Sequence, residues 1–142
     1  MSLAELRRLA EFRRLIRQFL HFSEEAARQK GIEPQQHQLM LAIKGLPRGI
    51  RPTVTALSQQ LCLRHHSTVE LVNRLVERSA AVRKPGSEDR REMLVELTPH
   101  GEHLLQELSF EHLEELQRSG PALSESLLAV VQPARDKPRS SE

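Results

Sequence analysis

The sequence predicts a mostly α-helical fold that carries one small β-hairpin, and three observations lead there. Apolar residues recur every three or four positions through most of the chain, the period of helices with one buried face. Strand-like composition is confined to Val82-Arg83-Lys84 and Met93-Leu94-Val95-Glu96-Leu97, and the segment between them, from Pro85-Gly86-Ser87 to Glu92, has turn chemistry. With four Phe and neither Tyr nor Trp in 142 residues, the core must be built from Leu, Val, Ile and Ala, at a size that suits one domain.

Residues 3–30 read as one long helix, with Leu6, Leu9, Phe12, Ile16, Phe19, Phe22 and Ala26 along one side and Arg7, Arg8, Arg13, Arg14 and Arg17 elsewhere. Gly31 is placed to end it. A helix of ~40 Å, at 1.5 Å per residue, is longer than so small a domain can cover, so its apolar stripe is expected to meet another chain. An ordinary core helix is the alternative. Pro34 stands at the start of the second helix, where its missing N–H costs nothing, and Leu39, Met40, Leu41 and Ile43 carry that helix to Gly45. Pro47 to Pro52 is a loop whose Arg48 and Arg51 are either phosphate contacts or solvated charges. Thr53-Val54 is a candidate short strand against the hairpin, and Thr55 the expected N-cap of a short helix over 56–62.

The next helix, predicted over 67–78, buries Leu71, Val72 and Leu75. Its other face offers His66, Ser67, Glu70, Asn73, Arg74 and Glu77, a mixture of donors and acceptors rather than a uniform Glu/Lys surface. Glu70 stands out there, because a carboxylate repels phosphate unless it accepts from a cytosine amino group or pairs with Arg74, four residues on. The pair with Arg74 is the expectation. Beyond the hairpin, Thr98-Pro99 supplies the N-cap and first position of a helix running to about Ser119. Gly120-Pro121 is expected to break it, a short helix to cover 123–131, and residues 133–142, rich in Pro, Ser and charge, to form a disordered tail.

A helix with a readable polar face followed at once by a basic-tipped hairpin is the pattern of a winged helix-turn-helix, with a helix for the major groove and a wing for the neighbouring backbone or minor groove. The charge distribution agrees. Residues 44–91 hold ten Lys/Arg against four Asp/Glu, a net +6, whereas residues 98–142 hold four against eight, a net −4, in a chain whose total is +2.

Several of these residues resemble those of the MarR (multiple antibiotic resistance regulator) family of bacterial transcription factors. They are Ala56-Leu57-Ser58-Gln59-Gln60-Leu61, His66-Ser67-Thr68 through Arg74-Leu75, Asp89-Arg90-Arg91 at the wing tip, and Leu97-Thr98-Pro99-His100-Gly101. The wing tip together with Leu-Thr-x-x-Gly at this spacing is the specific part, and the similarity extends over about residues 30–110. One departure is Ser79-Ala80 where the family usually has Gly-Leu, so the helix end is expected to differ or run on by a turn.

The resemblance implies one domain over 1–132, with a DNA-binding lobe at about 34–97 and dimerisation helices at about 3–30 and 98–131. It implies a homodimeric repressor of a pseudo-palindromic duplex, released by a small-molecule effector, with His65, His66, Ser67, Asn73, Arg74, Lys84, Arg90 and Arg91 on the DNA. Strand alternation is expected to send Arg90 and Arg91 to opposite sides, so that Arg91 enters the minor groove, oriented by Asp89, and Arg90 meets the backbone. Phe12, Ile16, Phe19 and Met40 are the implied effector pocket.

Other functions find less in the sequence. There is no Gly-rich phosphate loop, Gly-x-Ser-x-Gly or His-Glu-x-x-His, so no catalytic residue and no cofactor is expected. A winged helix used only for protein interaction or dimerisation would not need Asp89-Arg90-Arg91. A metal-responsive regulator could draw on His21, His37, His100, His103 and His112, but scattered surface histidines explain them as well, and no metal ligand is assigned. The single Cys62 rules out an internal disulfide and is expected to pack as a small hydrophobe rather than sense oxidants. No apolar run approaches the ~18 residues of a membrane span and no secretion signal is visible, so a cytoplasmic protein without a membrane partner is expected.

Overall fold

The computed structural model describes residues 1–132; the tail expected over 133–142 lies outside the described residues. Five helices and one hairpin follow in the order α1 (Leu3–Gln29), α2 (Pro34–Gly45), α3 (Val54–Leu61), α4 (His65–Glu77), β1 (Ala81–Pro85), β2 (Met93–Leu97) and α5 (Pro99–Val131). The strands are antiparallel, with Ala81 opposite Leu97 and Pro85 opposite Met93. No helix among the described residues is long and apolar enough to cross a membrane. The chain divides into two compact units, Glu24–Glu111 and Met1–Ser23 together with the chain from His112 on.

The unit Glu24–Glu111 holds the core. Leu39, Met40 and Ile43 of α2 are buried with Leu57 of α3, Leu71, Val72 and Leu75 of α4, Val95 of β2, and Leu105 and Leu108 of α5. The apolar period of each helix thus becomes one shared interior, worth about 1.5–3 kcal/mol per fully buried aliphatic side chain. Gly31, at φ +71°, ends α1, and its N–H donates to the Arg28 carbonyl at 2.9 Å. The α2 start is fixed by Pro34 at its first turn and by Gln36, whose Oε1 accepts from the Glu33 N–H at 3.2 Å.

The next helix starts earlier than expected. Thr53, not Thr55, is the N-cap of α3, its Oγ1 accepting from the Ala56 N–H at 3.1 Å. Thr53 and Val54 therefore form no strand, although the loop does meet the hairpin where the Val95 N–H donates to the Pro52 carbonyl at 2.9 Å. Cys62 is exposed rather than buried, because it occupies the left-handed position (φ 55°) that closes α3.

The end of α4 resolves the Ser79-Ala80 departure. The helix does not run on; Ser79 takes the left-handed conformation itself at φ 60°, its N–H bonds the Val76 carbonyl at 2.9 Å, and the Ala80 N–H bonds the Leu75 carbonyl at 3.1 Å. That pair of bonds is the Schellman closure, which glycine makes without strain. Ser79→Gly is expected to stabilise the fold by about 1 kcal/mol, read as a higher urea midpoint at unchanged slope.

Gly101 explains the Leu-Thr-x-x-Gly spacing. The Thr98 N–H donates to the Ala80 carbonyl at 3.0 Å, and the Thr98 hydroxyl donates to the Ser79 carbonyl at 2.6 Å and accepts from the Gly101 N–H at 3.1 Å. The first turn of α5 is thereby drawn onto Ser79-Ala80 so closely that a Cβ on Gly101 would overlap the Ala80 carbonyl oxygen and stand 2.9 Å from its carbon.

Helix α5 overturns the expected break at Gly120-Pro121, since it continues unbroken to Val131 with Pro121 inside it. A proline disfavours helix at the residue before it partly through that residue's Cβ, and Gly120 has none, which lessens the cost. In the second unit, His112 Nε2 and Ser23 Oγ lie 2.7 Å apart, with the rings of Phe19 and Phe22 edge-on to the imidazole at centroid distances of 6.0 and 5.6 Å. Along the same unit Leu3, Leu6, Leu9, Leu20, Leu113, Leu116, Leu127, Leu128 and Val131 stay exposed, so much of the apolar face foreseen for α1, and its counterpart on α5, is uncovered in the single chain.

Lys30, just past α1, meets two acids of α5, Glu107 at 2.7 Å and Glu111 at 3.5 Å. The Lys30 ammonium, and secondarily His103, hold the Glu107 carboxyl below its ordinary range. A depressed carboxylate contributes stability above its unfolded pKa and loses it as pH falls through the folded value. Glu107→Gln is therefore expected to lower stability modestly at pH 7 and not at a pH below both values, measured by urea unfolding at each pH.

Candidate nucleic-acid interface

The interface belongs to the Glu24–Glu111 unit. Helix α4 buries Thr68, Leu71, Val72 and Leu75, and this fixes its rotation so that His65, His66, Glu70, Asn73 and Glu77 face outward. The helix opens at His65, two residues before the predicted start, so both histidines and Ser67 stand in its first turn with Arg64 as N-cap. That turn also carries the helix's free N–H groups and the positive end of its dipole, which favour an approaching phosphate.

The second half of α4 is engaged by the protein's own groups. Arg74 reaches Glu33, just before α2, with Nη1 3.2 Å from Oε2, and does not make the expected pair with Glu70. Glu33 stands immediately before α2, where the helix N-terminus favours a carboxylate. Arg78 donates to the Gly31 carbonyl, and Arg83 of β1 donates to Asn73 Oδ1, tying the wing to the recognition helix. Asn73 and Arg74, both foreseen on the DNA, are thus held by protein partners, whereas His65 and His66 are exposed.

In the wing, Arg90 and Arg91 lie in a turn between the strands, not in a strand, so alternation does not separate them. Asp89 Oδ1 instead accepts from the Arg91 N–H at 3.0 Å and stands 3.5 Å from its Nε, while the Arg91 side chain remains 96% exposed. Lys84 pairs with Glu96 at 2.9 Å, and Arg51 with Glu92 at 2.8 Å, joining the α2–α3 loop to the wing. Arg48, Arg64 and Arg90 have no ion pair or side-chain hydrogen bond among the described residues. Arg64 was not foreseen as a contact; its signal was its place immediately before the recognition helix.

The residues expected to line an effector pocket fall in the two different units. Met40 is fully buried in the core, while Phe12, Ile16 and Phe19 are half-buried in the other unit. An open recess of about 400 Å³ is lined instead by Lys30, His103, Gln106, Glu107, Phe110 and Glu111. Among the described residues, no group of three or more His, Cys, Asp and Glu side chains could hold a metal.

Comparison with known proteins accords with this geometry. Residues 30–92 match the model of the MarR family. A search of curated protein sequences gives no significant match. Among solved structures, AbsC, a MarR family transcriptional regulator from Streptomyces coelicolor, superposes with a TM-score of 0.75 at 16% identity, covering 94% of this chain and 93% of AbsC. CouR from Rhodococcus jostii, bound to p-coumaroyl-CoA, gives 0.65 at 19% identity, covering 84% and 88%. A mutant of S. aureus MepR bound to an oligodeoxyribonucleotide gives 0.64 at 16% identity, covering 93% and 99%. Residues 30–92 are thus similar to the MarR family of transcriptional regulators, and the fold of the chain is that of the family's solved structures.

Proposed function

We propose that the protein is a homodimer that binds a pseudo-palindromic duplex and represses transcription until a small molecule releases it. The observation that carries the DNA half is the set of uncommitted cations: Arg48 in the α2–α3 loop, Arg64 at the N-cap of α4 and Arg90 in the wing. These need break no bond in the protein to meet phosphates, and they surround the recognition helix in sequence. His65, His66 and Ser67 then meet base edges or backbone in the major groove, with half-sites about one helical turn apart. Lys84 and Arg90 meet phosphates, and Arg91, steadied by Asp89, enters the minor groove.

The uncovered leucines of α1 and α5 support the dimer, since a monomer rarely leaves so much apolar surface in water. CouR bound to p-coumaroyl-CoA and MepR bound to an oligodeoxyribonucleotide support the effector and the duplex as ligand classes.

The test is a titration of the purified protein with DNA from upstream of its own gene, across salt, with an unrelated duplex as competitor. Binding that resists the competitor and falls steeply with salt supports a specific regulator. Binding no better than to the competitor removes that DNA as its operator.

A further inference from the structure

We infer that Glu70 is a specificity-determining residue that reads a cytosine in each half-site, and that Glu33 acts as a positioning residue by keeping Arg74 away from it. The inference rests on the DNA-binding reading above. Glu70 lies one turn after His66 on the outward row His66, Glu70, Asn73, Glu77, opposite the buried stripe of α4. It has no ion pair or hydrogen bond among the described residues. Its one cation at helical spacing, Arg74, is spent 3.2 Å from Glu33 Oε2, and Asn73 beside it is engaged by Arg83.

An ionised carboxylate is acceptor-only. Set into a major groove, it meets repulsion from phosphates, from guanine O6 and N7 and from thymine O4. Adenine offers an N6 donor, but beside the N7 acceptor. Cytosine alone presents an N4 amino donor on a major-groove edge that carries no acceptor of its own base. An unpartnered carboxylate on the groove face therefore selects cytosine, with Arg64 and Arg90 supplying the phosphate attraction that offsets its charge.

The experiment is selection of random duplexes by the full chain, wild type and variants, with sequencing of the bound pool. The wild type is expected to prefer cytosine about tenfold at one symmetry-related position. Glu70→Ala should lose that preference, and Glu70→Gln should convert it to adenine, which a carboxamide reads through N6 and N7. Glu33→Gln should free Arg74 to turn to Glu70 and weaken the preference several-fold without loss of overall affinity. Identical selected sequences from wild type, Glu70→Ala and Glu70→Gln would overturn the assignment of Glu70. An unchanged cytosine preference in Glu33→Gln would overturn the role of Glu33. Enrichment of no sequence at all by the wild type would instead overturn the DNA-binding reading, and the assignment with it.

Discussion

Gly101→Ala is expected to destabilise the protein by about 3 kcal/mol, the upper end of what added volume in a packed site costs. The added methyl overlaps a main-chain carbonyl, that of Ala80, which no side-chain rotation can move aside. Ala80 is fixed in turn: its N–H closes α4 on the Leu75 carbonyl, and its carbonyl accepts from Thr98. Relief would require α5 to lift away, breaking the Thr98 contacts with Ser79 and Ala80. For a chain of 142 residues this corresponds to a fall in thermal midpoint of about 10 °C. Gly45→Ala is the control, because a Cβ there meets nothing within 4 Å. Equal midpoints for the two variants would remove close backbone approach as the reason for glycine at position 101.

The features legible in the sequence were those set by local chemistry. Pro34 and Gly31 each fix backbone geometry by themselves, and the helix boundaries beside them fall within a residue of where they were expected, whereas β1 runs on through Pro85, which was expected in the turn. The errors arose where a particular partner or neighbour, rather than residue type, decided. Thr53 and Thr55 are equally good caps on composition, and the choice went to the one whose oxygen faces the Ala56 N–H. Gly120 lessens the penalty of Pro121 by lacking a Cβ. Arg74 follows Glu33, forty-one positions away in sequence, over Glu70 four positions away, a preference that helix spacing cannot foresee. Cys62 looked apolar beside Leu61 and Leu63, but the closing turn of α3 points it outward.

The same distinction between committed and uncommitted charges ranks the DNA contacts. Lys84 must leave Glu96 before it can serve a phosphate, and Arg74 must leave Glu33, so part of each new contact is offset by the bond given up. Arg64 and Arg90 give up nothing. The double variant Arg64→Ala/Arg90→Ala is accordingly expected to lower affinity about 100-fold at moderate salt and to reduce the slope of log affinity against log salt by about 4, one for each phosphate left without its arginine across the two protomers. Lys84→Ala should change affinity by no more than about threefold. Fluorescence anisotropy on a labelled duplex at four salt concentrations separates these outcomes. A double variant that loses affinity at an unchanged salt slope would mean that the two arginines act on base edges or on the fold rather than on phosphates. A Lys84 variant as weak as the double variant would mean that the wing strand is the main electrostatic anchor and that its pair with Glu96 opens on binding.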